Sequence, residues 1–328
     1  MWKTGLKKYV LYVFKKIVFI LMTMWVVATF TFILMHCLPG DPFIKDKAIP
    51  PKILENLNTR YGLDKPMTEQ YKVYMGRLLK GDLGISMVYK NKSVNSIVGR
   101  AFPVSLDLGI RAGIIAVIAG LFLGIMAAYF KNRIVDRLTL VIVMTGMSIP
   151  GFVIGTVFQY FICYRLSEYI YSVSGSNYRL FPVTGWQGFR YTIVPSLSLA
   201  VGAMGMIARM MRTGMIEVLS SNYIIAAKAR GLSAWEVLTR HAVRNAVLPV
   251  VSILGPLMTS IVLGAFVIEN IFSIPGIGQY FVSSIQAKDY TMILGLSVFT
   301  VLVVVVLNTL TDILYAVIDP RVRILKEQ

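Results

Sequence analysis

Residues 226–249 read AAKARGLSAWEVLTRHAVRNAVLP, a basic, helix-forming stretch lodged between two long apolar runs. Gly231 is a natural stop, because glycine accepts the left-handed conformation that closes a helix C-terminus. A second helix is predicted to begin at once. In SAWE at 233–236 the Ser233 hydroxyl can accept from the Glu236 amide while the glutamate side chain reaches back, the pattern of a capping box. On that helix Glu236, Arg240 and Arg244 fall at i, i+4 and i+8 along one polar stripe, and Trp235, Leu238, Ala242 and Ala246 along an apolar one. Pro249 suits the first turn of the next helix, where its missing N–H costs little. The stretch reads as a short amphipathic helix, and the runs on either side of it decide the fold.

A membrane-spanning helix needs about 20 predominantly apolar residues. Working outward, such runs occur at 17–35, 106–129, 138–163, 193–210, 248–268 and 292–317, six in all. Alternating ten-residue barrel patterns are absent, and a lone strand in hydrocarbon leaves its backbone unsatisfied, so the spans are helices. Composition agrees: 56% of the 328 residues are hydrophobic and 15% charged, too apolar for a soluble domain of this length. The net charge of +17 then reads as loop orientation rather than as a nucleic-acid footprint. The first run is too long for a signal-peptide core and lacks a small-residue cleavage site, which reads as a retained anchor.

Lys3, Lys7, Lys8, Lys15 and Lys16 precede the first span, Lys131, Arg133 and Arg137 follow the second, and Arg321, Arg323 and Lys326 follow the last. The positive-inside rule places both termini in the cytoplasm. The chain divides into a cytoplasmic tail with the first span (1–36), an external region (37–103), a core of five spans (104–320) with a cytoplasmic loop at 211–247, and a cytoplasmic tail (321–328). In the external region Tyr61, Leu63, Tyr71, Tyr74, Met75, Leu78 and Leu79 supply apolar spacing for a helix starting near Thr68, which can cap it. Its tyrosines serve equally as a small core or as a partner surface.

Several functions are excluded. Cys37 and Cys163 show no metal or disulfide spacing, and the two histidines, His36 and His241, lie on opposite sides of the membrane, so no metal site is expected. No paired aspartates, Ser/His pair or HExxH lie in the spans of an intramembrane enzyme. A glycine-rich loop ending in Gly-Lys-Ser/Thr is absent, so the chain hydrolyses no ATP and binds no cofactor. For 226–249 three readings stand: an interfacial linker, a helix-turn-helix DNA reader disfavoured by its membrane tethers, and a docking knob for a cytoplasmic partner.

The motifs, taken in order, narrow the choice. HCLPGDP (with Pro39, Gly40, Asp41 and Pro42), RYGLDKPMTEQY, KGDLGIS, DRLTLVIVMTGMSIPGF (with Pro150), AAKARGLSAWEVLTRHAVRNAVLPV, IENIFSIPGIGQ and AVIDPRVR make the chain resemble the B-type integral-membrane permease subunit of oligopeptide/dipeptide/nickel-class binding-protein-dependent ABC importers. The resemblance covers nearly the whole length. It implies an all-α integral membrane protein with six transmembrane helices in the type I ABC importer permease fold, in a bacterial cytoplasmic membrane. It also implies a homologous C-type second permease, two ATPase subunits carrying ATP and Mg, an external substrate-binding protein, membrane lipid, and no nucleic acid partner.

In such permeases the Gly-centred element docks on the ATPase. That points to Ala227, Arg230, Gly231, Ser233, Trp235, Glu236, Arg240, His241 and Arg244 as the coupling residues. The sequence departs from the broader pattern where the loop's eponymous Glu falls at Ile225. Candidates for the substrate path are Asp107, Arg111, Met147, Gln159, Asn308 and Asp312, with ordinary packing or an i, i+4 Asp107/Arg111 ion pair as the alternatives. Nickel or another small solute, and an ATP-independent channel, remain as other functions.

The charge pattern makes a direct prediction of sidedness. In intact cells, cysteine placed at Lys90 should react with an impermeant thiol reagent and cysteine at Lys131 should not; the reverse pattern would invert the topology.

Overall fold

The computed structural model describes residues 2–37, 50–175 and 180–318, with side chains over 14–37, 50–175 and 180–311 except Ala234. The PGDP motif at 39–42 and the tail after 318 lie outside the described residues. In chain order the helices are α1 (Trp2–Cys37), α2 (Pro51–Tyr61), α3 (Met67–Leu79), α4 (Val94–Tyr129), α5 (Ile134–Ser148) and α6 (Gly151–Phe158), then a π-helical segment (Gln159–Arg165) leading into α7 (Leu166–Ser174). There follow α8 (Phe189–Leu219), α9 (Asn222–Ala229), α10 (Ala234–Glu236), a second π-helical segment (Val237–Ala242) leading into α11 (Val243–Ala246), α12 (Leu248–Ile271), α13 (Ile277–Gln286) and α14 (Tyr290–Ile318). The described residues hold no strand, only one isolated bridge between Ile85 and Ser93.

Among the described residues five helices are long and apolar enough to cross a membrane, and the α5 to α7 stretch makes a sixth only as a pair bent by 107°. The straight third span expected at 138–163 is therefore broken. Pro150 is the reason: it has no N–H to return to α5, and it pushes the preceding residue out of the helical region. Ile149 accordingly sits at φ −88°, ψ 128°. The second span also begins twelve residues before the expected 106, at Val94, where Ser93 accepts from the Ser96 amide at 3.2 Å. Those first turns, VNSIVGRAFPVS, are interrupted by Asn95, Ser96, Arg100 and Pro103, so a search for an unbroken apolar run misses them.

Contacts divide the chain into two compact units, one of 1–102 with 280–306 and the other of 103–279 with 307–328. Packing thus joins the start of α14 to the N-terminal segments, unlike the linear division at 103/104 read from composition.

In the first unit Phe32 on α1 meets Tyr71 edge-on at 5.3 Å and stacks on Tyr74 at 5.8 Å between ring centroids. Tyr71 Oη and Thr29 Oγ1 are 2.7 Å apart, and His36 Nε2 lies 3.0 Å from Gln70 Oε1. The tyrosines at 71 and 74 are therefore core of this unit, leaving Met67, Val73 and Leu79 as exposed apolar residues of α3. Pro66, not Thr68, stands at the start of α3, its carbonyl accepting from Glu69 and Gln70. The fully buried Asp289 holds the 81–93 loop: it accepts from the Ser86 hydroxyl, from the Met87 amide at 3.1 Å and from the Val88 amide at 3.2 Å. Asp289 also caps α14 by accepting from the Met292 amide at 3.1 Å.

In the second unit α8 is the central helix, packing on α5, α6, α11 and α12. Small residues permit close approach where lipid supplies no hydrophobic drive between helices: a Cβ on Gly124 of α4 would stand 2.6 Å from the Ala208 carbonyl oxygen of α8. Asp136 at the start of α5 is clamped by Arg212 of α8 through bonds of 2.7 and 2.8 Å.

Asp289→Ala removes a buried acceptor and orphans three donors, the Ser86 hydroxyl and the Met87 and Met292 amides, while the Val88 amide keeps Ser86 Oγ, a loss of roughly 1–3 kcal/mol or more. The expected outcome is faster amide hydrogen exchange and protease cutting in 81–93 with the membrane helices unaffected. Unchanged protection in that loop would show that Asp289 does not hold it.

Candidate functional site

The interruption at 226–249 folds as two short helical pieces around one glycine. α9 ends at Ala229; Arg230 follows, exposed at φ −79°, ψ 4°, and Gly231 adopts φ +82° while its amide donates to the Lys228 carbonyl at 3.0 Å. A Cβ on Gly231 would meet no heavy atom within 4 Å, so the requirement for glycine there is purely conformational. The capping box forms as the spacing predicts. Glu236 N donates to Ser233 Oγ at 3.3 Å, and Ser233 N and Oγ donate to Glu236 Oε2 at 3.1 and 2.9 Å. These bonds from Ser233, the hydroxyl first, hold the Glu236 carboxyl below its ordinary range.

Beyond Glu236 the helix widens to π geometry over Val237–Ala242, whose i→i+5 bonding shifts the phase of the side chains. Val237, Leu238, Ala242 and Ala246 are buried. Ala227 and Ile224 of α9 close against Val237, while Leu238, Ala242 and Ala246 join Met211 and Met215 of α8 in one core. Trp235, expected on the apolar stripe, is instead 71% exposed. The helix buries its face against α8 from Val237 onward, and Trp235 precedes that contact. Arg240 and Arg244 are exposed and His241 half-buried, with Asn245 Nδ2 donating to the His241 carbonyl at 3.2 Å and to Tyr223 Oη at 2.8 Å. Exposed Tyr223 and Ile225 extend the apolar surface of the element. Its back is rigid: a Cβ on Gly214 of α8 would lie 2.8 Å from the Ala246 carbonyl oxygen.

The six path candidates do not converge. Arg111 and Asp107 form the i, i+4 ion pair at 2.9 Å, with the guanidinium 5.8 Å from the Phe189 ring centroid. Gln159 spends both amide hydrogens on the Val183 and Ile271 carbonyls, at 3.0 and 2.9 Å, which makes it a clasp between segments rather than a free path group. Asn308 accepts from Thr259 Oγ1 at 3.0 Å. Asp312 lies on α14 outside the residues whose side chains are described. Met147 alone of the six lines a cavity of about 460 Å³ at the α5/α6 bend, walled also by α8 and α12.

Sequence reasoning gave no role to Glu269, which is fully buried near the end of α12. It accepts from the Gly278 amide at 2.7 Å and from the Gln279 amide and Ser105 hydroxyl. Gly276 and Gly278 are required beside it, since added Cβ atoms would stand 2.3 and 2.9 Å from its Oε2. The signal was present in ENIFSIPGIG: a lone carboxylate ending an apolar run needs donors, and a glycine-rich loop nine residues on supplies amides. Among the described residues no group of three or more His, Cys, Asp or Glu is placed to hold a metal ion.

Residues 120–324 match the family model described as "Binding-protein-dependent transport system inner membrane component", and residues 9–109 match the model for the N-terminal part of such a membrane component. The chain is 39% identical over 313 residues to the dipeptide transport system permease protein DppB of Lactococcus lactis subsp. cremoris (strain MG1363), covering 95% of this chain and 99% of that one. It is 37% identical over 303 residues to the oligopeptide transport system permease protein OppB of Escherichia coli (strain K12), covering 92% and 95% respectively. In fold it is similar to a chain of the inward-facing MetNI methionine ABC transporter, with a TM-score of 0.52, 16% identity, and coverage of 68% of this chain and 96% of that one.

Ser233→Ala removes the hydroxyl half of the capping box and should cost about 1 kcal/mol of local stability. Amide exchange at 234–238 should rise severalfold while α8 and α12 keep their protection; equal exchange in both proteins would mean the cap carries no weight.

Proposed function

This chain belongs to the family of inner-membrane components of binding-protein-dependent transport systems, and from that membership we propose that it imports oligopeptides or dipeptides as one of a pair of permeases, each forming half of the path. The relatives named for dipeptide and oligopeptide transport support the substrate class over nickel, since they match over nearly their whole length. A homologous second permease completes the path, two ATPase subunits carrying ATP and Mg bind on the cytoplasmic side, and an external binding protein delivers the peptide. The complex sits in the bacterial cytoplasmic membrane with both termini of this chain inside.

One observation carries the coupling role: Trp235, large and apolar, is held out from the chain at the head of a capped helix whose back is packed on α8. A bare interfacial linker gives no reason to spend a glycine turn and a capping box on presenting an aromatic. A docking helix does, because buried aromatic anchors dominate interface energies and rim arginines tune them. Arg240 and Arg244 stand exposed on the same element, Arg240 in the field of Glu236 one turn before it, which fits a rim. Force applied at Trp235 has a short route: from the π-helical segment through Leu238 and Ala242 into Met211 and Met215 of α8.

Purified complex in proteoliposomes tests the assignment. Trp235→Ala should weaken ATPase binding by ~2 kcal/mol or more, and transport should fall or uncouple from hydrolysis while the permease pair still assembles. Gly231→Val forces a β-branched residue into φ > 0 at a cost of about 1–2 kcal/mol and should impair coupling more than folding of the spans. Normal transport and ATPase affinity in both variants would return the element to an interfacial linker.

A further inference from the structure

A cavity opens at the break in the third span, walled by α5, α6, α8 and α12. Its volume of about 460 Å³ falls within the range of small-molecule sites, roughly 300–1,000 Å³. No Asp, Glu, Lys, Arg or His lines it. Glycines from four helices do: Gly146 of α5, Gly151 of α6, Gly202 of α8 and Gly264 of α12. Much of the wall is consequently bare backbone.

The break makes part of that backbone polar and unpaired. Pro150 returns no N–H to α5, so carbonyls at the end of α5 lose helical donors. On the other side the Pro150 carbonyl accepts from Val153 and Ile154, and the Gly151 and Phe152 amides, ahead of them, have no intrahelical acceptor. Non-helical backbone inside an apolar stretch is tolerated in a bilayer only where it is buried in protein or lines a water-filled cavity. Here it lines a cavity with an open side, so the cavity is wet.

We infer that this cavity is the chain's share of the peptide path and that Gly202 sets the size of side chain that passes. The inference rests on the peptide-import reading above and deepens it. Free amides and carbonyls complement peptide bonds whatever the sequence, and an uncharged wall neither attracts nor repels charged side chains. Met147 and Met206, both on the wall, are pliant and adapt to different shapes. What such a wall reads is volume.

Of the four wall glycines only Gly151 and Gly202 have room for a side chain, and Gly202 is the one inside a continuous spanning helix, α8, whereas Gly151 stands at the break itself. A Cβ on Gly146 would stand 2.7 Å from Val201 Cγ1, and one on Gly264 3.2 Å from Leu199 Cδ1, so substitutions there push on neighbouring helices. On Gly202 the nearest heavy atom would be the Gly146 carbonyl oxygen at 3.9 Å, an ordinary contact. A side chain at 202 therefore enters the cavity without moving the backbone of α8.

The test uses the whole reconstituted transporter with its binding protein and ATP, and compares uptake of Phe-Phe with Gly-Gly. For Gly202→Leu the Phe-Phe to Gly-Gly ratio should fall about tenfold relative to wild type, with Gly-Gly uptake retained, and Gly202→Ala should lie between. An unchanged ratio, or a parallel loss of both peptides in an assembled complex, overturns the inference. Absence of all peptide uptake by the wild-type complex would instead overturn the functional reading beneath it. If Gly202→Leu does not assemble, Gly202→Cys decides. In the assembled transporter a charged methanethiosulfonate reagent should modify it beyond the labelling of the native Cys37 and Cys163, and saturating peptide should slow the reaction. An unreactive thiol there, from a dry or partner-filled cavity, overturns the inference.

Discussion

A chain in hydrocarbon must satisfy its backbone N–H and C=O groups from within, because no water is there to do it. The main features of the spanning helices follow from that constraint. It makes the apolar runs helical and gives the break at Ile149–Pro150 a cost, while the exposed interruption at 226–249 is closed by local chemistry, αL Gly231 and a reciprocal Ser233/Glu236 cap. Two interruptions of the ladder carry the functions proposed above. One presents an aromatic to the outside of the chain, and the other opens a cavity lined by backbone.

Between helices in lipid there is little hydrophobic drive, so close packing of small residues and polar clasps do the joining. Gly124 against Ala208 and Gly214 against Ala246 bring backbones together. Asp136 with Arg212, Glu269 with the Gly278 amide, and Asp289 with Ser86 pin particular segments. The Asp136–Arg212 clamp and the Gly214–Ala246 contact both lie on the last turns of α8, next to the interruption. That end of α8 is consequently fixed to α5 and α11 together, which suits a helix that receives force from a docked partner and moves as a body.

Among the described residues π geometry appears twice, at Gln159–Arg165 and Val237–Ala242, and each time it re-aims a side chain that matters. In the first, Gln159 becomes a clasp for the Val183 carbonyl of a loop and the Ile271 carbonyl at the end of α12. In the second, the buried face shifts to Val237 and Trp235 is left outside it. An extra residue per turn is a local change with a local result: side chains before and after it no longer share one stripe.

From residues alone came whatever depends on local chemistry: the apolar runs, the Gly231 stop, the Ser233/Glu236 box, Pro249 in a first helical turn, and the Asp107/Arg111 pair. Each is set by neighbours within four residues or by the length of an apolar run, and periodicity carries that information. Tertiary structure decided what depends on distant partners. The bend at Pro150 was legible as a proline, but its 107° angle and the cavity behind it need α8 and α12. Tyr71 and Tyr74 suited a core or a surface until Phe32, some forty residues earlier, met them. Trp235 fitted the apolar stripe of an ideal helix, and only the packing of Leu238 and Ala242 on α8 with its π phase shift put it outside. Glu269 and Asp289 acquire meaning only where the chain returns to bring them amide donors, because a carboxylate's partners are selected by space and not by spacing in sequence.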